Sequence, residues 1–350
     1  MQWNNAVKIG GSVMAAALCF GAQAAGNGIV TSVSMDKKSL GASDDVVVKV
    51  TMTNTSSSPQ QILKWHTPFG DVEESLFEVT RDGVAVPYEG MHVKRQVPTA
   101  KDYFTIQPGK SHSVHIELSS MYNMGVSGEY KIRYKTKGRA LFAADKNKNT
   151  EEVASESVSV YIEGALRRGV VPEAQPQPLA GGSLSFSRCS ASQQSTITSA
   201  MAAGNNMATN SDAYLAAGTT GTRYTKWFGA YTSTRYNTAK SHFAAIKDAF
   251  NNKPVTVDCG CNKTYYAYVY PTQPYKIYVC KAFWSAPMTG TDSKGGTLVH
   301  EMSHFNAVAG TDDHVYGQSG AASLAISNPD QAVDNADSHE YFGENTPALN

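Results

Sequence analysis

Two histidines four residues apart, His300 and His304, enclose a glutamate in the run His300-Glu301-Met302-Ser303-His304. On a helix, positions i and i+4 share a face one turn apart, so both imidazoles can reach one metal ion. Glu301 can then lean over a water on that ion and act as general base. Zinc suits this chemistry because it lowers the pKa of a bound water from about 15.7 to about 7. A surface helix carrying two unrelated histidines is the bland alternative. The neighbouring residues oppose it. Leu298, Met302 and Phe305 form a separate apolar stripe, and Gly295-Gly296 permits close approach where the helix starts. The spacing predicts a helix from about Thr297.

A catalytic zinc needs a third protein ligand and one open position, whereas a structural zinc is closed by four. Downstream the chain reads Gly310-Thr311-Asp312-Asp313-His314-Val315-Tyr316-Gly317. Spacing alone leaves Asp312, Asp313 and His314 open as the third ligand. Gly310 lets the chain turn back toward the metal. Further on, Asp337 and Glu340 stand three apart, hence on one helical face. Such a pair is usually a solvated acidic face. At the bottom of a narrow pocket it would instead need a cation, and a compact ammonium fits two carboxylates better than a planar guanidinium.

The elements that must position these residues lie in the second half of the chain. Ala239, Phe243, Ile246 and Phe250 follow helical spacing, and Thr225 to Tyr231 is either a separate helical turn or part of the same helix. Two short strands are expected near Tyr265–Tyr270 and Tyr275–Cys280, joined through Pro271-Thr272-Gln273-Pro274. A last helix is expected to start near Asn328-Pro329, a cap followed by proline. From about residue 28 to 163 the pattern has period two instead. Val46, Val48, Val50 and Met52 share one face. Val114, Ile116 and Leu118 repeat it, as do Tyr130, Ile132 and Tyr134, then Val158, Val160 and Ile162. Breaks at Asn54-Thr55-Ser56, Asp82-Gly83 and Pro108-Gly109 complete the signature of an antiparallel sandwich.

Between the halves, Arg167-Arg168 precedes Pro172, Pro176, Pro178, Gly181 and Gly182, a linker composition with a dibasic pair that could be a processing site. The extreme N-terminus has Lys8, a short apolar run from Val13 to Phe20, and Ala22-Gln23-Ala24. We read residues 1–24 as a secretory signal; Cys19 fits a lipoprotein poorly. No segment is apolar enough for a membrane span. With Cys19 set aside, Cys189, Cys259, Cys261 and Cys280 remain, an even number that favours two disulfides in an exported chain. Three connectivities are possible. A four-thiolate zinc site is disfavoured by the one-residue gap in Cys259-Gly260-Cys261. The formal charge is zero over 350 residues, which gives no reason to expect a nucleic-acid partner.

The two-histidine helix followed by Gly-Thr-x-Asp-x-x-Tyr-Gly resembles the aspzincins, the deuterolysin-type metalloendopeptidases, over roughly residues 189 to 347. The resemblance implies one catalytic Zn2+ held by His300, His304 and Asp313, with Glu301 as base and Tyr316 stabilising the oxyanion. It implies the pairs Cys189–Cys259 and Cys261–Cys280. The stretch from Asn335 to Phe342 is similar to that of the peptidyl-Lys enzymes, which implies Asp337 and Glu340 as the pair that binds a substrate lysine; His339 has no firm role.

The expectation is therefore a signal (1–24), a β-sandwich prodomain (25–164), a linker (165–183) and an α+β zincin-like catalytic domain (184–350). The product is a secreted, monomeric endopeptidase acting on protein or peptide substrates N-terminal to lysine. Its own prodomain serves as intramolecular inhibitor. Lys94, Lys101 and Lys137 are unranked candidates for a prodomain lysine in the acidic pocket. The contrary readings are a non-catalytic zinc-containing toxin or binding protein, a zinc enzyme acting on another bond, and a sandwich that stays attached and binds carbohydrate or a cell surface through aromatics such as Trp65 and Tyr88.

Overall fold

A computed structural model describes residues 27–145, 149–164 and 182–350. The expected signal, and the linker with Arg167-Arg168, lie outside these residues.

The N-terminal half is built of antiparallel strands because its apolar residues alternate. Val47–Asn54 buries Val48, Val50 and Met52 and turns Lys49 outward. It lies between Ile29–Ser34 and Ser111–Glu117 in a three-stranded sheet. The facing sheet is centred on the long strand Gly128–Arg139, flanked by Val158–Ile162 and Phe77–Arg81. Tyr130, Ile132, Tyr134, Val160 and Ile162 fill the space between the sheets. Full burial of each Val, Leu or Ile contributes about 1.5–3 kcal/mol, so the repeated alternation fixes which face turns inward. Asp82 (φ 49°) and Gly83 (φ 84°) make the tight hairpin after Phe77–Arg81.

The C-terminal half packs helices on a five-stranded sheet. Its order is Leu184–Ser187, Val255–Asp258, Lys276–Val279, Ala267–Val269, His92–Lys94. The first three strands are mutually parallel and the next two pairings are antiparallel. The fifth strand therefore comes from the sandwich half. The period-two region spans His92–Lys94, but this strand closes the edge of the other sheet. Three residues carry no readable period, which is why sequence did not show it.

The long helices Ala191–Ala216 and Ser233–Asn252 cover the sheet. Ser190 caps the first, with Gln193 completing a capping box. The metal-motif helix runs Lys294–His304, one turn earlier than expected, because Ser293 caps it and accepts from the Gly296 N–H at 2.9 Å. Every residue of it is buried. A Cβ at Gly295 would stand 2.9 Å from Ala203 Cβ and 3.1 Å from Gly204 N, so the two helices cross here nearly backbone to backbone.

The expected last helix is two. Pro329–Ala332 is a single turn capped by Asn328, and a second helix, Ala336–Glu344, follows after a break at residues 333–335. The cap signal was real but belonged to the short piece. Disulfides join Cys189 to Cys259 and Cys261 to Cys280, pinning the sheet's parallel strands and loops.

Candidate active site

The buried helix Lys294–His304 presents His300 and His304 on one face. After it, Phe305 leaves helical geometry and Gly310 (φ 62°) reverses the chain. The returning segment is pinned by its backbone. Asp312 N–H donates to Asp334 C=O at 2.8 Å, and Ala336 N–H donates to Asp312 C=O at 3.0 Å. Asn335 Oδ1 accepts from the His314 and Val315 amides. This fixes which side chain of the run faces inward.

It is Asp313. Its Oδ1 lies 3.3 Å from His300 Nε2 and its Oδ2 lies 3.4 Å from His304 Nε2. The two Nε2 atoms are 3.1 Å apart. A four-coordinate zinc with bonds of about 2.0–2.1 Å holds its ligands at about this spacing. Both Asp313 oxygens are buried without a hydrogen-bond partner among the described residues, as are both Glu301 oxygens. Unpartnered carboxylates of this kind call for a cation, so the residues present fit a zinc ion. Asp312 and His314 do not join the group: the Asp312 side chain is 59% exposed, and His314 Nε2 turns to Asp334 Oδ2 at 2.8 Å.

The two imidazoles are held from behind. His304 Nδ1 donates to Thr311 C=O at 2.6 Å, and His300 Nδ1 lies 2.9 Å from Asp337 Oδ1. Each contact fixes a ring and leaves its Nε2 toward the centre. Burial opposes a charge on His300, yet Asp313, Asp337 and Glu340 hold its pKa well above the ordinary range. Burial pushes Glu301 up to about 7, against the pull of the two histidines.

Beside the centre is an acidic pocket. Asp337 and Glu340, on the helix Ala336–Glu344, are 1% and 0% exposed. Asp337 Oδ2 accepts from Gly317 N–H at 2.6 Å. The pocket contains Lys94. Its ammonium donates to Glu340 Oε2, lies 3.6 Å from Asp337 Oδ1 and 3.8 Å from Asp292 Oδ1, and stands 5.1 Å over the Tyr266 ring. Burial disfavours the charge, but the three carboxylates hold the Lys94 pKa well above its usual value. Lys101 and Lys137 are exposed.

The strand carrying Lys94 runs through the cleft in register with Ala267–Val269: Lys94 opposes Ala267 and Val93 opposes Tyr268. The residue before the pair, His92, rests its ring 4.7 Å from that of His304. Tyr316 Oη lies 2.9 Å from the Val93 carbonyl oxygen and 3.0 Å from Glu74 Oε1. Burial, together with Asp313 and Glu74, keeps this phenol protonated far above its ordinary pKa. Arg95 anchors the exit, pairing with Glu74 Oε1 (3.2 Å) and Glu73 Oε2 (3.0 Å).

Sequence reading missed Glu74, His92, Val93, Arg95 and Asp292 as members of this site. Each is ordinary in its local context and none stands at a motif spacing. Trp65 and Tyr88 form no exposed platform. Trp65 carries the Arg95 guanidinium on its ring, and Tyr88 packs edge-on to Tyr122. His339 is buried between Phe228 and Phe243, with Nδ1 donating to Asn335 C=O and Nε2 3.0 Å from His242 Nδ1.

A family model described as "Lysine-specific metallo-endopeptidase", the aspzincin M35 family, matches residues 213–344. An immunoglobulin-like domain model matches residues 35–168. The chain is 48% identical over 316 residues to an "Extracellular protease" of Aeromonas hydrophila, covering 89% of this chain and 91% of that one. It is 38% identical over 328 residues to a "Peptidyl-Lys metalloendopeptidase" of Armillaria mellea, covering 89% and 92%. Among solved structures, the zinc peptidase from Grifola frondosa is 46% identical and covers 46% of this chain and 100% of its own, with a TM-score of 0.45.

Proposed function

Because the chain belongs to the aspzincin family of metalloendopeptidases, we propose that it cuts extracellular proteins or peptides on the N-terminal side of lysine. We further propose that it is made as a precursor whose N-terminal sandwich occupies the cleft. The observation that carries this reading is Lys94: a lysine ammonium sits between Asp337 and Glu340 while the carbonyl just before it meets Tyr316. Export is supported by the name of the Aeromonas relative and by the disulfides.

In this reading His300, His304 and Asp313 hold one zinc ion. Bound there, zinc would lower the pKa of a water to about 7 and polarise the scissile carbonyl. Glu301, buried and unpartnered, takes the proton of the attacking water and delivers it to the departing amine. The Tyr316 phenol, held neutral, donates to the oxygen on which negative charge develops. Asp337 and Glu340 take the lysine ammonium, and the edge strand Ala267–Val269 pairs with the substrate backbone.

The test is digestion of a lysine- and arginine-rich protein by the processed enzyme, with Glu301→Ala and a chelated sample as controls. Mass spectrometry should find new N-termini beginning at lysine, absent from both controls. Cleavage without lysine preference would remove the role given to Asp337 and Glu340. No cleavage by any processed form would return the protein to the non-catalytic class.

A further inference from the structure

The segment that blocks the cleft is placed as a substrate would be. Resting on the lysine reading above, we propose that Val93–Lys94 is itself a cleavage site, cut by the same molecule's active centre.

Four independent contacts set the register. Lys94 fills the acidic pocket. Tyr316 Oη stands 2.9 Å from the carbonyl oxygen of Val93, the residue whose acyl carbon would be attacked. The backbone is extended and paired with the sheet edge, Tyr266 N–H donating to Lys94 C=O at 3.1 Å. The flanking side chains bracket the metal ligands: His92 packs on His304, and Lys94 reaches Asp337, which lies against His300. The bond between Val93 and Lys94 is therefore held between a side chain that packs on His304 and one that reaches the partner of His300. A blocking peptide that ran backward, or was displaced by one residue, would put a side chain or an amide N–H where this carbonyl is.

The reaction consumes one water. A C–O bond forms at the Val93 carbonyl carbon and the C–N bond to Lys94 breaks. Glu301 takes one proton from the water and passes it to the Lys94 nitrogen, and the water's second proton follows as the new acid ionises. The products are a Val93 carboxylate and a Lys94 α-ammonium. Because enzyme and bond are tethered, the rate should be first order and independent of protein concentration. One feature slows it. The Tyr316 hydroxyl has a single proton and two acceptors, Val93 C=O and Glu74 Oε1, so Glu74 competes with the developing oxyanion.

The experiment uses the full chain, purified with chelator and restarted by returning zinc. Fragments are followed by intact and N-terminal mass spectrometry at two protein concentrations a hundredfold apart. A lysine peptide is assayed with the final product. The expected result is a fragment beginning at Lys94, formed at the same fractional rate at both concentrations. It should be absent in Glu301→Gln, at least tenfold slower in Lys94→Arg, and unchanged in Lys101→Arg. If the peptide is cut before lysine while Val93–Lys94 stays intact, the strand is a pure inhibitor and this inference alone falls. A rate proportional to concentration overturns the intramolecular route. If neither peptide nor Val93–Lys94 is cut, the lysine reading fails and takes the inference with it.

Discussion

Replacing Lys94 by methionine keeps the bulk of the side chain and removes its charge. In the docked state Asp337 and Glu340 would stay almost wholly buried, at 1% and 0% exposure, without their cation. Asp337 retains Gly317 N–H and His300. Glu340 retains His300 Nδ1 at 3.5 Å, and its Oε1 already has no hydrogen-bond partner among the described residues. When the strand lifts away, water reaches both carboxylates. Removing one partner of a buried ion pair costs about 3–5 kcal/mol, so the docked state should lose about 3 kcal/mol relative to the open one. Burial holds the Glu340 pKa above its ordinary value even beside Lys94, so proton uptake would relieve part of the loss at neutral pH. The measurement is therefore best made near pH 8. Hydrogen exchange of the full chain, in a Glu301→Gln background to prevent cleavage, should show amides of residues 92–97 and 266–269 exchanging on the order of a hundredfold faster. Unchanged protection would refute the claim that Lys94 anchors the strand.

Four further outcomes can be checked. Glu74→Gln weakens the competing acceptor for the Tyr316 proton, and should speed cleavage at Val93–Lys94 several-fold, given about 0.5–1.5 kcal/mol for such a hydrogen bond; time-resolved mass spectrometry reads it. Asp313→Asn should lower zinc retention at least tenfold while leaving the thermal unfolding of the apo chain within a few degrees, as seen by metal analysis and circular dichroism. Gly295→Ala places a Cβ 2.9 Å from Ala203 Cβ where two helices cross, and should cost about 1–3 kcal/mol of stability in a denaturant titration. His339, buried with its pKa pushed down to about 3, refuses a proton that the unfolded chain accepts below about 6.5. Between these values the unfolded state binds more protons, so stability falls as pH falls, by about 1.4 kcal/mol per unit from this residue. Stability measured from pH 7 to 4.5 should therefore drop less in His339→Gln than in the parent chain.

How much was legible in the sequence depended on how local the signal was. His300, Glu301 and His304 lie on one helical turn, so spacing alone put them on a common helix. The sandwich strands announced themselves because Val48, Val50 and Met52 alternate with polar residues. Asp313 was less local. Choosing it over Asp312 and His314 requires knowing that Asp312 is bonded through its backbone to residues 334 and 336, which fixes the direction of each side chain. The split of the last helix was hidden because a cap marks where a helix begins and not how far it runs. Lys94 was one of three equal candidates because its partner, Glu340, is 246 positions away. Glu74 and Asp292 were invisible for the same reason: a carboxylate beside no motif reads as surface until the chain is folded.

The borrowed strand at the sheet edge also says something about targets. If the sandwich departs as proposed, Ala267–Val269 is left with one side unpaired, and the backbone groups that held His92–Lys94 become the reading frame for whatever enters next. A lysine wound into a helix has already spent its amide and carbonyl on its own turn, and it cannot lie along that edge. The enzyme should therefore be fastidious about conformation as well as side chain: loops, tails and unfolding chains would be clipped at lysine, while the same residue in a stable helix would pass untouched.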